Sequence, residues 1–315
     1  MEIKRGAALM GTYVSVAATA VDRATALAAS ESALRALEAA ERTLSTWTPG
    51  SELSRVNRAR SGETVALSRE LFEALDGAIT CHRDTSGYFN PAVGALVRLW
   101  GLRDGGRLTR PSRRELKNAL AASQVATFTL GTGDVTRQSG DAVFEEGGFG
   151  KGAALDQAAR AVRDARLVLN LGGQILVTDG PPVDAVIEGS GLVLGIERGS
   201  LATSGNDKRA VRVAGQARGH ILDPTTGLPA ADFGLLTVWA ESGLRADCLS
   251  TALYAMGPAR ALRWALGRSD VQVLIQSRGA RLATCGLKNK IKNNTNVKFI
   301  CNDEQLETLL KEYDI

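Results

Sequence analysis

The chain has 315 residues, 44% of them hydrophobic and 23% charged, with a formal net charge of +4. That length holds a sizeable buried core in one large domain or two smaller ones. The charge surplus is mild and acids are interleaved with bases, which argues against a nucleic-acid-binding protein. No apolar run is long enough to span a bilayer. The start shows no basic segment followed by an apolar one, so no secretory signal is visible. Cys81, Cys248, Cys285 and Cys301 are scattered, a spacing that fits neither a zinc site nor a disulfide framework. The expectation is a cytoplasmic protein, or a chain trimmed of its signal.

In chain order, residues 12–18 alternate as a strand, and residues 23–44 form a helix with Leu27, Leu34, Leu37 and Leu44 on one face. Thr48-Pro49-Gly50-Ser51 breaks it. Residues 68–85 read as a second helix, with Leu71, Phe72, Leu75 and Ile79 inward, and residues 113–122 as a third. Strands follow at 127–130 and 142–144, then a glycine-rich turn and a helix over 153–162. Further strands fall at 167–170, 175–178, 192–196, 210–213, 235–240 and 271–276, with helices at 246–256 and 258–266. The irregular alternation indicates an α+β fold rather than a regular βαβ array. The one basic cluster, Arg98, Arg103, Arg107, Arg110, Arg113, Arg114 and Lys117, reads as a solvated loop and helix face.

Composition changes near Leu287. Before it the basic residues are almost all arginine; from Lys288 onward there is none, and lysines stand among asparagines. Residues 288–315 are therefore expected to be a Lys/Asn-rich tail, a strand at 297–300 and a short helix at 304–311, either a short native extension or a segment of different origin from residues 1–287.

Three blocks carry chemistry. The first is Glu145-Glu146-Gly147-Gly148-Phe149-Gly150-Lys151-Gly152. Glycines permit close approach to the backbone, a helix start offers free N–H groups to phosphate, and the lysine adds a charge. A Walker A loop fails here: Glu145 stands at its first glycine and Gly152 at its Ser/Thr. A dinucleotide fingerprint fits loosely, and a purely structural turn fits too. The second block runs from Ala246 to Leu253. On a helix, Asp247 and Thr251 lie one turn apart; they present two hard oxygens suited to Mg²⁺, or Asp247 is a helix cap. The third contains Leu201-Ala202-Thr203-Ser204-Gly205 and, after it, Gly219-His220-Ile221-Leu222-Asp223-Pro224. His220 in this turn-rich setting is a base, a proton donor or a phosphate partner, or is bonded to local backbone. His82, with no companion motif, takes the local role.

Together with Asn170-Leu171-Gly172-Gly173, Met10-Gly11-Thr12, Ser45-Thr46-Trp47 through Asn57, and Gly87-Tyr88-Phe89-Asn90-Pro91, these blocks occur in an order that resembles the ApbE-like family, the FAD:protein FMN transferases. The resemblance runs from about Ala7 to Leu287. It implies an α+β fold of two related subdomains with the flavin between them. It also implies an enzyme that splits the FAD pyrophosphate, joins FMN to a threonine or serine hydroxyl of an acceptor flavoprotein through a phosphoester, and releases AMP. The divalent metal, Mg²⁺ or Mn²⁺, is implied at Asp247, Thr251 and a backbone oxygen of Gly148. FAD contacts are implied at Met10, Trp47, Tyr88, Phe89, Asn90, Glu145, Lys151, His220 and Ile221. For the incoming hydroxyl, His220 is the first candidate base, with Asp223 to orient it or replace it. The chain departs from the family, which usually has aspartate, at Glu145, Asn90 and Gln174. An FAD pyrophosphatase and a non-catalytic FAD-binding protein are the competing readings.

Overall fold

Val14, Val16 and Ala18 are buried and the residues between them less so, the period of a strand with one face in a core. In the computed structural model, which describes residues 1–138, 140–187, 189–206, 210–277, 279–293 and 296–313, this strand belongs to a nine-stranded sheet. Its strands are β1 (Glu2–Leu9), β2 (Thr12–Thr19), β3 (Arg166–Leu171), β4 (Gln174–Val177), β5 (Gly199–Gly205), β6 (Leu235–Ala240), β7 (Val271–Ser277), β8 (Ala280–Thr284) and β9 (Val297–Ile300). Their order across the sheet is their order in the chain. All neighbours are antiparallel except β8 and β9, which are parallel. Met10 and Gly11, with φ of 51° and 68°, make the tight turn between β1 and β2, whose left-handed backbone matches the twist of a hairpin.

Helices cover one face of the sheet. The helices among the described residues are α1 (Arg23–Leu44), α2 (Glu52–Arg58), α3 (Arg69–Asp84), α4 (Gly94–Leu99), α5 (Arg113–Ala121), α6 (Gly150–Arg160), α7 (Gly243–Met256), α8 (Pro258–Ala265) and α9 (Asp303–Glu312), and of these α1, α6, α7 and α8 pack directly on the strands. Asp22 caps α1 by accepting from the Thr25 N–H at 2.8 Å. The buried stripe of α1 is built largely from Ala26, Ala29, Ala33 and Ala40 with Leu37 and Leu44, while Leu27 is exposed. Alanines, not the leucine repeat, bring this helix close to the sheet.

Helices α6 and α7 approach still more closely. A Cβ on Gly152 would lie 2.2 Å from the Gly243 carbonyl oxygen, and one on Gly243 would lie 2.6 Å from that of Gly152. Glycine is the only residue that fits either position at this separation. The other face of the sheet buries Leu201, Leu274 and Ala283 against a small hairpin, Val183–Val186 with Val193–Ile196.

Several local expectations are corrected. Helix α6 begins at Gly150 rather than 153, so Lys151 stands in its first turn. Residues 142–144 make only an isolated bridge, Val143 with Val93. The backbone of Phe144 is held instead by the Asn57 side chain, which donates to its carbonyl at 2.9 Å and accepts from its N–H at 2.8 Å. Helix α2 is too short to show a period and was not expected. The Leu201–Gly205 motif, given no secondary structure from sequence, belongs to a central strand over residues 199–205 whose first four residues are buried.

The cysteine reading is also corrected: Cys285 and Cys301 form a disulfide with Cα atoms 5.0 Å apart. They lie 16 residues apart, a spacing with no signature of its own. Parallel pairing of Thr284 with Ile300 sets the next residue of each strand at the same sheet end. The support that the cysteine spacing gave to a cytoplasmic location falls with it. Cys81 and Cys248 are free and buried. Residues beyond Lys288 supply β9 and α9, and Leu306, Leu309 and Leu310 of α9 are buried against the main core. No helix among the described residues is long and apolar enough to cross a membrane.

Candidate active site

The starts of α6 and α7 converge on a cavity of about 410 Å³. Its wall contains Trp47, Tyr88, Phe89, Asn90, Glu145, Gly148, Lys151, His220, Ile221, Asp247 and Thr251. The structure therefore gathers onto one surface residues that lie as far apart in the chain as Trp47 and Thr251. Two expected residues are not on that wall. Met10 sits behind the glycine block: its N–H donates to Glu41 Oε1 at 2.8 Å, and its Cε would lie 3.4 Å from a Cβ on Gly150. Asp223 spends its carboxylate on a turn, accepting from the Thr225 N–H at 2.8 Å, the Thr225 hydroxyl at 2.7 Å and the Thr226 hydroxyl at 3.0 Å. That is an Asx turn.

Asp247 is 4% exposed. Its Oδ1 lies 3.3 Å from Lys151 Nζ, and its Oδ2 accepts from the Gly152 N–H at 3.1 Å. A buried carboxylate needs such partners to keep its charge. Thr251 follows one turn along α7, and a Cβ on Gly148 would lie 3.2 Å from its Oγ1 and 3.0 Å from the Phe89 ring. Gly148 is thus pressed between Phe89 and Thr251, where an added Cβ would crowd both side chains. The backbone carbonyl of Asp247 accepts from Ser250 Oγ at 2.9 Å, and Ser250 in turn accepts from Ser204 Oγ at 2.9 Å. This chain of hydroxyls couples the Ala202–Gly205 motif to α7.

The donor set at this place is one carboxylate, one hydroxyl and a neighbouring backbone: hard oxygens that match a small divalent cation completing its shell with water or phosphate oxygens. Among the described residues, no group of three or more His, Cys, Asp or Glu side chains is spaced to hold an ion. A metal held by several protein carboxylates therefore has no place among them, whereas one shared with a phosphorylated ligand does.

The mouth of the cavity is built by a residue read from sequence as part of a solvated cluster. Arg103 lies with its guanidinium 4.4 Å from the ring centre of the exposed Trp47, 2.5 Å from Glu145 Oε2 and 3.7 Å from Glu146 Oε2. Arginine suits this task because its flat, delocalised cation stacks on an indole while its N–H groups bind carboxylates. Burial pushes the Glu145 carboxyl above the ordinary carboxylate range, and Arg103 opposes that shift. Nothing in the sequence distinguishes Arg103 from its neighbours; only the fold brings it to Trp47.

Other residues explain the departures. Asn90 donates to the Ser123 carbonyl at 2.8 Å while its Oδ1 accepts from the Ala92 N–H at 2.8 Å, so its carboxamide fixes a loop at the wall. Gln174, 2% exposed, donates to the Gly243 carbonyl at 2.8 Å. A carboxylate in its place has no proton to give there. Asn206, also missed from sequence, is buried and accepts from the Ile221 N–H at 3.2 Å, which fixes the loop carrying His220. His82 Nδ1 bonds the Phe89 carbonyl at 2.7 Å, the local role expected of it.

The chain matches the ApbE family over residues 10–275. An FAD:protein FMN transferase of Klebsiella pneumoniae is 28% identical over 276 residues, covering 80% of this chain and 78% of that protein. One of Vibrio cholerae is 30% identical over 244 residues, covering 72% and 73%. Among solved structures, the ApbE protein of Thermotoga maritima superposes with a TM-score of 0.80 at 24% identity, covering 89% of this chain and 96% of that one. The flavin transferase ApbE of Vibrio cholerae gives 0.77 at 24% identity, covering 92% and 99%. With its cavity motifs in order and the family match running over residues 10–275, the chain belongs to the ApbE family.

Proposed function

We propose that this protein is a divalent-metal-dependent FAD:protein FMN transferase that moves the FMN moiety of FAD to a threonine or serine hydroxyl of an acceptor protein and releases AMP. The observation that carries the reading is the convergence of Lys151, Asp247, Thr251 and Gly148 with Trp47, Tyr88 and Phe89 on one cavity. A pyrophosphate needs cationic partners and hard oxygens nearby, and a flavin or adenine ring needs flat apolar faces. The transferase names of the relatives support the same chemistry.

In this reading the acceptor oxygen forms a bond to the FMN phosphorus as the bond from that phosphorus to the AMP oxygen breaks. His220, on the wall of the cavity, takes the hydroxyl proton. Lys151 stabilises the charge gathering on the departing phosphate, and the first N–H groups of α6 face the same side. Asp247, Thr251 and the Gly148 carbonyl hold Mg²⁺ or Mn²⁺, which when bound supplies charge neutralisation on the pyrophosphate. Incubation of the protein with FAD and Mg²⁺, with and without a co-expressed acceptor flavoprotein, tests the reading by mass spectrometry. A covalent FMN adduct on the acceptor with stoichiometric AMP supports it. AMP and free FMN without any adduct would make the protein an FAD pyrophosphatase, and neither product would leave it an FAD-binding protein.

A further inference from the structure

One wall of the cavity is a small unit with its own core. Helices α4 and α5 pack Leu96, Trp100 and Ala119 against Val213 and Leu222. The strand Gly106–Arg107 pairs with Val211–Val213, which pairs with Gln216–Arg218. Its inner side gives Val97, Leu102 and Leu222 to the cavity.

Its outer side has an unusual charge. Residues 92–125 and 210–229 hold nine Arg or Lys and three Asp or Glu, a surplus of six, where the entire chain has a surplus of four. The remainder of the protein is thus net negative, and the whole basic excess is concentrated beside the cavity. Arg107 pairs with Glu115 and Arg103 with Glu145. Arg110, Arg113, Arg114, Lys117 and Arg212 are exposed, and no carboxylate among the described residues pairs with any of them. Arg110 and Arg218 both donate to Gln216 Oε1, each at 2.7 Å, so two guanidinium groups are gathered on one neutral oxygen. Arg218 stands two residues before His220. Leu108 projects between the arginines, 95% exposed.

Like charges collected in excess of acids repel one another in the free protein, and a carboxylate-bearing surface relieves that repulsion. We propose that this face, formed by the loop from Arg107 to Arg110, the start of α5 and the Val211–Val213 hairpin, is the docking surface for the acceptor protein. It receives an acidic face of the acceptor that lies beside the hydroxyl to be modified, with Leu108 as its apolar contact. The proposal rests on the transferase reading, because only a protein acceptor has to be held at this mouth. Electrostatic complementarity of this kind chiefly speeds encounter and fixes orientation.

The test uses the intact protein and a variant, R113E/R114E/K117E, whose three changes lie outside the cavity wall. A short fluorescein-labelled peptide with one threonine among aspartates and glutamates is titrated by anisotropy, with a lysine-flanked peptide as its control. Wild-type protein is expected to bind the acidic peptide and to lose affinity as salt rises. The variant is expected to bind it at least roughly tenfold more weakly and to gain the lysine peptide. Release of AMP from FAD without any peptide is expected to stay within about twofold, since the catalytic wall is untouched. Equal binding of the acidic peptide by both proteins overturns the proposal. So does tighter binding of duplex DNA or of phosphatidylserine vesicles than of the peptide, which would give the surface to another partner class. Absence of AMP release from FAD in wild type even with a co-expressed acceptor flavoprotein would defeat the transferase reading alone, because peptide binding is read without turnover.

Discussion

Lys151 and Asp247 form an ion pair, 3.3 Å from Nζ to Oδ1, across the gap between the first turns of α6 and α7. The other oxygen of Asp247 accepts from the N–H of Gly152, the residue after that lysine. The two helix starts are therefore tied at one carboxylate. The pair sets a cation beside the Asp247 carboxylate in a place where it is almost wholly buried. In the proposed reading Asp247 would also hold the divalent cation, which would compete with Lys151 for the same oxygen and leave the lysine available to a phosphate.

Substitution Asp247→Asn tests that arrangement. The amide keeps the shape of the side chain but removes the charge that both Lys151 and a metal require. Metal-dependent AMP release from FAD is expected to fall by about 100-fold or more, the loss typical of one electrostatic group aimed at a transition state. Affinity for FAD, read by quenching of flavin fluorescence, is expected to change by less than about tenfold, because the ring contacts remain. Unchanged AMP release at saturating Mg²⁺ would remove Asp247 from the metal site.

Gly152→Ala probes the contact between the two helices. The added methyl would lie 2.2 Å from a backbone oxygen and 2.6 Å from Leu244 Cα, neither of which can swing aside. Helices α6 and α7 must separate. Overpacking of this sort costs about 1–3 kcal/mol, to be read from urea denaturation. AMP release should drop as well, since Lys151 and Asp247 move apart with their helices. Full activity together with full stability would show that the helices have slack that the distances deny.

Much of this was legible in the sequence because it rests on local rules. Helices α1, α3 and α5 have capping residues, Asp22, Ser68 and Ser112, at their first turns, and strands such as β2 and β6 carry their own pattern. The glycine block, Asp247 and Thr251 stood out because their residue types and spacing already imply a ligand. Arg103 and Asn206 did not, because each works through a partner elsewhere in the chain: Trp47 and Ile221. The same holds for Cys285 with Cys301, paired by a parallel strand register that no spacing announces. Met10 and Asp223 err in the other direction. Their motif neighbours reach the cavity, but a hairpin turn holds one and an Asx turn uses the carboxylate of the other.

Asp156 yields a further stability prediction. Its two oxygens accept from the N–H groups of Gly243 at 2.6 Å and Leu244 at 2.9 Å, the first turn of α7. Burial pushes its carboxyl above the ordinary range, and those N–H bonds oppose the shift. Asp156→Ala leaves both donors without a partner at the start of the helix that bears Asp247. A loss of roughly 2–3 kcal/mol in chemical denaturation is expected. Amide exchange at Gly243 and Leu244 should quicken with it. A variant as stable as wild type would show that Ser242, whose Oγ accepts from Arg245 N–H at 3.0 Å, caps α7 adequately alone.

Glu115 supplies the pH prediction. Ser112 accepts from the Glu115 N–H at 3.2 Å, and Glu115 Oε2 accepts from the Ser112 N–H at 2.7 Å, a reciprocal capping box at the start of α5. Ser112, and then Arg107, hold the Glu115 carboxyl down to about 2 from its ordinary 4.5. A depressed carboxylate stabilises the fold above its unfolded value, and that contribution is lost as pH falls through the folded one. The cap should therefore stay intact from neutral pH to about 4.5 and weaken only as acid takes the pH down towards 2. Carbon-detected NMR titration of the Glu115 carboxyl reads this directly, and Ser112→Ala should move its midpoint back up toward 4.5. Because Arg113, Arg114 and Lys117 lie on the same helix, the variant should also bind the acidic peptide less well at mildly acidic pH. A Glu115 midpoint near 4.5 in the unaltered protein would mean that the capping box does not persist in solution, and the start of α5 would then no longer be a rigid platform for those three cations.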